Sequence, residues 1–173
     1  GYAPTNYDGR FDGMVRLEDA LSRSLNVPFV ELLGEVGVPP FMRRLRDLGV
    51  ESLDPRPGHY GLSLIVGGAE LTPLDITTAY AALAAGGRAR PLRWRTDAPP
   101  VDTRAALSPG ATWLTRRALR LKDRPDFPAR QELSAMPRGL HWKTGTSFGH
   151  RDAWAVGSGG RFTVTVWLGN LDQ

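Results

Sequence analysis

The sequence predicts an α+β fold: a helical part over about residues 14–122, then antiparallel strands over about 138–170. Three observations carry this. Apolar residues recur at helical spacing, between cap residues, through the first two thirds of the chain. From Leu140 onward the period changes to two. Helices come first and strands last, without the alternation that builds parallel sheets, which argues for one helical and one sheet layer. At 173 residues, 41% hydrophobic and 23% charged, the chain has the make-up of one folded unit, residues 1–173.

Gly1 to Arg10 is dense in turn residues and reads as an extended lead-in. From Arg16 to Leu33, Leu17, Ala20, Leu21, Val27, Val30 and Leu33 keep helical spacing, while Asn26 and Pro28 interrupt it, so two helices with a break at Ser24–Pro28 are expected. A third helix fits Pro39 to Leu48, with Phe41, Leu45 and Leu48 inward, Arg43, Arg44 and Arg46 solvated, and Gly49 as its C-terminal cap. Thr72-Pro73 supplies an N-cap and a first-turn proline for a small-residue helix through Leu74, Thr77, Thr78, Ala81, Ala82 and Ala85, stopped by Gly86-Gly87. Ser108-Pro109 starts another by the same logic, running through Trp113, Leu114 and Ala118 to about Leu121. Leu140–Thr146, Asp152–Gly157 and Phe162–Leu168 read as strands. The last alternates Phe162, Val164, Val166 and Leu168 against Thr163, Thr165 and Trp167, and Gly157-Ser158-Gly159-Gly160 is expected to turn between the final two.

The formal charge is +4, but acids and bases are interspersed, so no nucleic-acid partner is expected. There is no cysteine, which excludes disulfides and thiolate chemistry. No apolar run approaches the roughly 20 residues that span a bilayer, so no membrane contact by this segment is expected. His59, His141 and His150 are not at metal-ligand spacing, and neither a metal nor another cofactor is expected. Trp142, Trp154 and Trp167 read as core and cleft-wall packing.

All but two of the 22 basic residues are arginine, which singles out Lys122 and Lys143. Lys143 opens the string Lys143-Thr144-Gly145-Thr146-Ser147, and from average residue usage a Lys-Thr-Gly-Thr match occurs by chance in roughly one chain of this length in several hundred. A strand-borne lysine supplies positive charge, Gly145 admits a ligand backbone close to the strand, and the hydroxyls of Thr144, Thr146 and Ser147 can bond a carboxylate. The alternative is a strand ending in a polar turn with Lys143 extended to solvent. Ser24-Leu25-Asn26 sits on the expected helix break. A Ser-x-Asn string arises by chance in about every second chain of this size, and by itself it reads as a capping turn.

The two strings together match a combination found in penicillin-binding proteins and class A β-lactamases. The chain resembles the transpeptidase domain of bifunctional class A penicillin-binding proteins through Ala20–Pro28, Gly67–Leu74 and Trp142–Ser147, with further likeness at Gly149–Gly157 and in the lead-in Tyr2–Tyr7. The resemblance implies part of a serine β-lactamase/penicillin-binding-protein transpeptidase fold. It also implies a peptidoglycan DD-transpeptidase working through an acyl-serine, with peptidoglycan stem peptides ending in D-Ala-D-Ala and β-lactam antibiotics as partners. Carried over by position, Ser24 relays a proton, Asn26 bonds the substrate amide carbonyl, and Lys143 holds the electrostatics of the relay. Thr144, Gly145, Thr146 and Ser147 form the substrate-binding strand, the Thr146 N–H giving half of an oxyanion hole.

One departure stands out. The family acylates through Ser-x-x-Lys, whereas the residues three before Lys122 and Lys143 are Leu119 and Leu140. In the family that motif lies upstream of Ser-x-Asn, so the expectation is an N-terminally truncated domain, inactive alone, from a periplasmic parent anchored in the inner membrane. The family's last hairpin strand pairs with a strand from that upstream part, which would leave Phe162–Leu168 an open edge. A DD-carboxypeptidase relative, or a non-catalytic peptidoglycan-binding or interaction module, are the alternatives.

Overall fold

The computed structural model describes residues 4–56, 58–120 and 139–170. Among these residues the helices are α1 (Leu17–Ser22), α2 (Asn26–Val36), α3 (Val38–Asp47), α4 (Pro73–Ala84) and α5 (Pro109–Ala118). The strands are β1 (Arg88–Ala89), β2 (Arg104–Ala105), β3 (His141–Thr146), β4 (Asp152–Gly159) and β5 (Phe162–Gly169). β1 and β2 form a small ladder, and the other three an antiparallel sheet in the order β3-β4-β5. The fold is α+β. The last of these helices ends at Ala118 with Leu119 as its C-cap, short of the expected end near Leu121, and the part boundaries at 122 and 138 lie outside the described residues. The β1–β2 ladder and a 3₁₀ turn at Leu62–Val66 are absent from the sequence reading, because elements this short complete no hydrophobic period.

The break after α1 is shorter than expected. α2 begins at Asn26 and takes Pro28 into its first turn, where a missing N–H costs little because those donors have no intrahelical acceptor. α3 buries Met42 and Leu48, each 9% exposed, while Phe41 and Leu45 are half-buried at its flank. Met42 widens the expected inward stripe by one position, the usual width of a core-facing helix. Leu33, Met42, Val50, Leu53 and Leu64 form the main core cluster. Gly49 follows α3 at φ +96, and a Cβ there would lie 2.7 Å from Thr78 Cγ2 on α4. α4 is small-sided for the same reason: Ala82 packs on Leu48, Ala89 and Ala106, bringing the helix close to the β1–β2 ladder.

The Thr72 cap is reciprocal. Asp75 N–H donates to Thr72 Oγ1 at 3.1 Å, and the Asp75 carboxylate accepts from Thr72 N–H at 3.0 Å and from Glu51 N–H at 2.7 Å. Burial pushes the Asp75 carboxyl up, but the hydrogen bonds from Thr72, Glu51 and Ser52 outweigh it, and its pKa is lowered to about 2. An unfolded aspartate titrates near ~3.9, so this stabilisation is complete above that pH and is lost as pH falls through about 2. Wild type is therefore expected to lose its stability advantage over Asp75→Asn as melting is followed from about pH 5 down to about pH 2. Parallel pH profiles for the two proteins would remove this role from Asp75.

The hairpin corrects the expected turn. β4 runs on through Gly157 and Ser158 to Gly159, which pairs with Phe162, so only Gly160 and Arg161 turn. These residues stay in the ladder because of what they oppose. A Cβ on Gly157 would sit 3.1 Å from Trp142 Cβ on β3, and Ser158 Oγ lies 2.8 Å from Thr163 Oγ1. β5 is an edge of this sheet. Its Thr163, Thr165 and Trp167 face lies toward the helices, with Thr77 Oγ1 of α4 donating to Thr165 Oγ1 at 2.7 Å. The apolar face is the exposed one, from Val166 at 49% to Phe162 at 73%.

Candidate active site

Cross-strand register sorts the residues of the sheet onto its two faces. Lys143 opposes Val156, Val156 opposes Thr165, and Thr165 meets α4, so Lys143 stands on the helix side of β3. Thr144 and Thr146 stand on the other face, as the strand pleat requires. Backbone direction adds a second distinction: Trp142 N–H points away from β4, to Leu119 O at the end of α5, at 3.2 Å. Alternation in the ladder turns the main-chain groups of Thr144 and Thr146 to that same edge, away from β4. Gly145 opposes Trp154, and a Cβ on it would meet only Trp154 Cβ, at 3.9 Å. Neighbouring packing therefore does not demand a glycine here; its bareness leaves the strand surface open.

Lys143 Nζ donates to Ser24 Oγ, 119 residues away in sequence, and to Thr144 O at 2.8 Å. The structure thus joins the two strings at their leading residues. Ser24 sits between α1 and α2 with φ +58, a left-handed conformation that a non-glycine residue holds only where surroundings enforce it. Its N–H reaches Leu21 O at 3.3 Å, and Leu25 N–H reaches Ala20 O at 2.9 Å, closing α1. The left-handed residue ends one helix and aims the hydroxyl outward, where Ser24 is exposed. Asn26, the first residue of α2, is half-buried and donates from Nδ2 to Thr5 O at 3.0 Å.

Ser147 closes the β3–β4 connection: its N–H donates to Asp152 O at 3.0 Å, and its Oγ accepts from Asp152 N–H at 2.9 Å. Hydrogen bonds from the Ser147 hydroxyl and from Trp167 Nε1 hold the Asp152 carboxyl below its ordinary range. Within that connection His150 has φ +58, and its ring meets Tyr7 edge-on at 5.9 Å between centroids. His141 is buried at the start of β3, where burial pushes its pKa down and Arg116 and Arg120 add to the effect against the Gly139 carbonyl. No three of His, Asp and Glu gather as a metal site among the described residues. Trp154 and Trp167 pack side by side at 6.2 Å between centroids, whereas Trp94 and Trp113, at 81% and 60% exposed, belong to no core.

The residue that sequence reasoning missed is Asn6. It is 5% exposed, and its Oδ1 accepts from the N–H groups of Asn26 and Val27 at 3.0 and 3.2 Å. The lead-in is therefore bound onto the Ser24–Asn26 turn. The local signal was absent: an N-cap is sought next to its helix, and this one comes from twenty residues upstream.

The Lys143–Ser24 contact brings together the Lys-Thr-Gly strand and the Ser-x-Asn turn, a pair of motifs that penicillin-binding proteins and class A β-lactamases combine with Ser-x-x-Lys. The sequence matches the penicillin binding protein transpeptidase domain over residues 2–153, and the chain belongs to that family. Among curated relatives it is 40% identical over 173 residues to penicillin-binding protein 1C of Escherichia coli (strain K12), covering 99% of this chain and 22% of that protein. It is 31% identical over 182 residues to penicillin-binding protein 1B of Vibrio cholerae, covering 99% of this chain and 23% of that one. It thus spans less than a quarter of either relative's length. The fold agrees with the crystal structure of penicillin-binding protein 1A from Haemophilus influenzae at a TM-score of 0.80 and 20% identity, over 99% of this chain and 32% of that one. It agrees with the imipenem acyl-enzyme of penicillin-binding protein A from M. tuberculosis at 0.68 and 20%, over 95% and 45%.

Proposed function

We propose that these residues form part of the acyl-transfer site of a peptidoglycan DD-transpeptidase whose nucleophile is supplied by a Ser-x-x-Lys segment upstream of Gly1. The observation that carries the reading is the Lys143–Ser24 contact, which joins a strand motif to a helix-turn motif across the whole chain. The upstream serine attacks the carbonyl of the penultimate D-Ala. The peptide bond breaks, terminal D-Ala leaves as its amine, and an acyl ester remains. Ser24, held by Lys143, passes the proton from the motif lysine to the departing nitrogen. Asn26 bonds the substrate amide, and Thr144 and Thr146 hold the terminal carboxylate at the outer edge of β3. Ser147 contributes through the turn it closes. The Thr146 N–H, on the outer edge of β3, gives half of the oxyanion hole, and the upstream serine gives the other half. An amine of a neighbouring stem peptide then takes the acyl group. β-Lactams form the same ester and stop there. The whole reading places the protein outside the cytoplasmic membrane, where peptidoglycan is cross-linked.

The test is intact-mass spectrometry after incubation with benzylpenicillin, run on the folded 173-residue chain and on the longest form the gene encodes. One penicilloyl adduct on the long form and none on the chain is expected. An adduct on the chain would overturn the upstream nucleophile. A long form without an adduct would favour a non-catalytic peptidoglycan-binding module, and release of the acyl group to water alone would favour a DD-carboxypeptidase.

A further inference from the structure

Ser24 holds a left-handed backbone at the head of a helix that lacks a cap of its own. Leu25, the N-cap residue of α2, has no side-chain group that accepts a hydrogen bond, and none is made. The orphan donors of that first turn are met from outside, because Asn6 Oδ1 accepts both Asn26 N–H and Val27 N–H. Asn6 is itself fixed, with Nδ2 donating to Arg10 O at 2.7 Å and its own O accepting from Gly9 N–H at 2.9 Å. Thr5 O takes the Asn26 side chain, and Arg23 binds Asp12 at 2.6 Å, fastening the same segment to the end of α1. The next residue, Tyr7, reaches the opposite wall at His150.

We infer that Asn6 is a positioning residue for acyl transfer: it sets where α2 begins, and thereby the left-handed turn that presents Ser24 to Lys143 and Asn26 to the substrate. The inference rests on the proposed function above. A cap made by a neighbouring side chain stabilises one helix. A cap made from twenty residues away also fixes the turn against the lead-in, whose Tyr7 meets His150. A buried amide oxygen shared by two N–H groups allows little sliding, and small displacements of a reacting constellation cost rate steeply.

The experiment measures the second-order rate of acylation by a fluorescent penicillin, together with melting temperature, in the longest form the gene encodes. Asn6→Leu removes the acceptor and is expected to slow acylation roughly tenfold to a hundredfold. Asn6→Asp keeps the acceptor, and its charge suits a helix N-terminus, but it gives up the amide N–H that donates to Arg10 O, so its rate is expected to fall between those of Asn6→Leu and wild type. Thr72→Ala removes a cap of similar worth from α4, where the Thr72 hydroxyl bonds Asp75. It is expected to lower the melting temperature comparably while leaving the rate unchanged. Independently of acylation, hydrogen exchange at the Asn26 and Val27 amides is expected to quicken at least about tenfold in Asn6→Leu and in neither other variant. Wild-type rate in Asn6→Leu, an equal loss in Asn6→Asp, or unchanged exchange at both amides would each overturn the inference. A wild type that takes up no label would overturn the functional reading, and the rate arm with it, while the exchange arm still decides what Asn6 holds.

Discussion

Lys143→Ala in the longest form of the protein is expected to slow acylation by a labelled penicillin by about 10²–10⁴-fold while leaving the melting temperature nearly unchanged. Among the described residues Lys143 donates to Ser24 Oγ and to Thr144 O, and it is only half-buried. Truncation therefore removes charge from the cleft without opening a core cavity. The Ser24 hydroxyl loses the donor that orients its lone pairs, and a relay depends on that orientation as much as on proximity. Lys143→Arg sharpens the test. It keeps the charge, but a planar guanidinium cannot take the place of a compact ammonium between a hydroxyl and a carbonyl. Its expected rate lies well below wild type and above the alanine variant. If Lys143→Ala acylates within about threefold of wild type, the assigned relay is wrong and the contact is structural.

Gly87→Ala is expected to lower stability by about 2–4 kcal/mol, the sum of a left-handed penalty and a steric clash. Gly87 has φ +88, and an added Cβ would lie 2.5 Å from Leu107 O and 2.6 Å from Thr112 Oγ1. Neither neighbour can withdraw easily. Leu107 N–H is bonded back to Gly87 O at 3.0 Å, and Thr112 Oγ1 donates to Ser108 O at 2.9 Å. Gly86 is the matched control, because it is also left-handed, at φ +71, but a Cβ there meets nothing within 4 Å. Gly86→Ala is expected to cost about 1 kcal/mol. At roughly 2–4 °C of melting temperature per kcal/mol for a chain of this size, the two variants separate clearly by calorimetry or circular dichroism. Equal melting temperatures would mean that the junction of α4 with the segment leading into α5 relaxes around the methyl group.

These two sites differ in how far the sequence announced them. Lys143 was visible because lysine is rare here and because Lys-Thr-Gly-Thr is an improbable string. Gly87 was legible as half of a helix stop, but its close approach to Leu107 and Thr112 depends on a ladder, β1 with β2, too short to register as a period. Ser24-Leu25-Asn26 gained weight only through its partner string, since Ser-x-Asn is common and a capping turn explains it equally well. The helix starts at Thr72 and Ser108 were read correctly because N-cap chemistry is local: each side chain accepts from a backbone N–H three residues on. The turn at Gly157–Gly160 was misplaced because glycine in a strand has two meanings, and proximity to Trp142 favoured the ladder.

By itself, then, the sequence determined what depends on neighbours within a few residues: helix caps and stops, the change of period after Leu140, and the improbable lysine motif on a strand. Tertiary structure decided what depends on distant partners. It set Lys143 against Ser24, turned the main-chain groups of Thr144 and Thr146 away from β4, turned the threonine face of β5 toward α4, and placed Asn6 as the cap of a helix twenty residues downstream. The physical reason is one of range. Capping and periodicity act over one or two helical turns, so each leaves a mark in consecutive residues. A hydrogen bond across 119 positions leaves none until the chain between is folded.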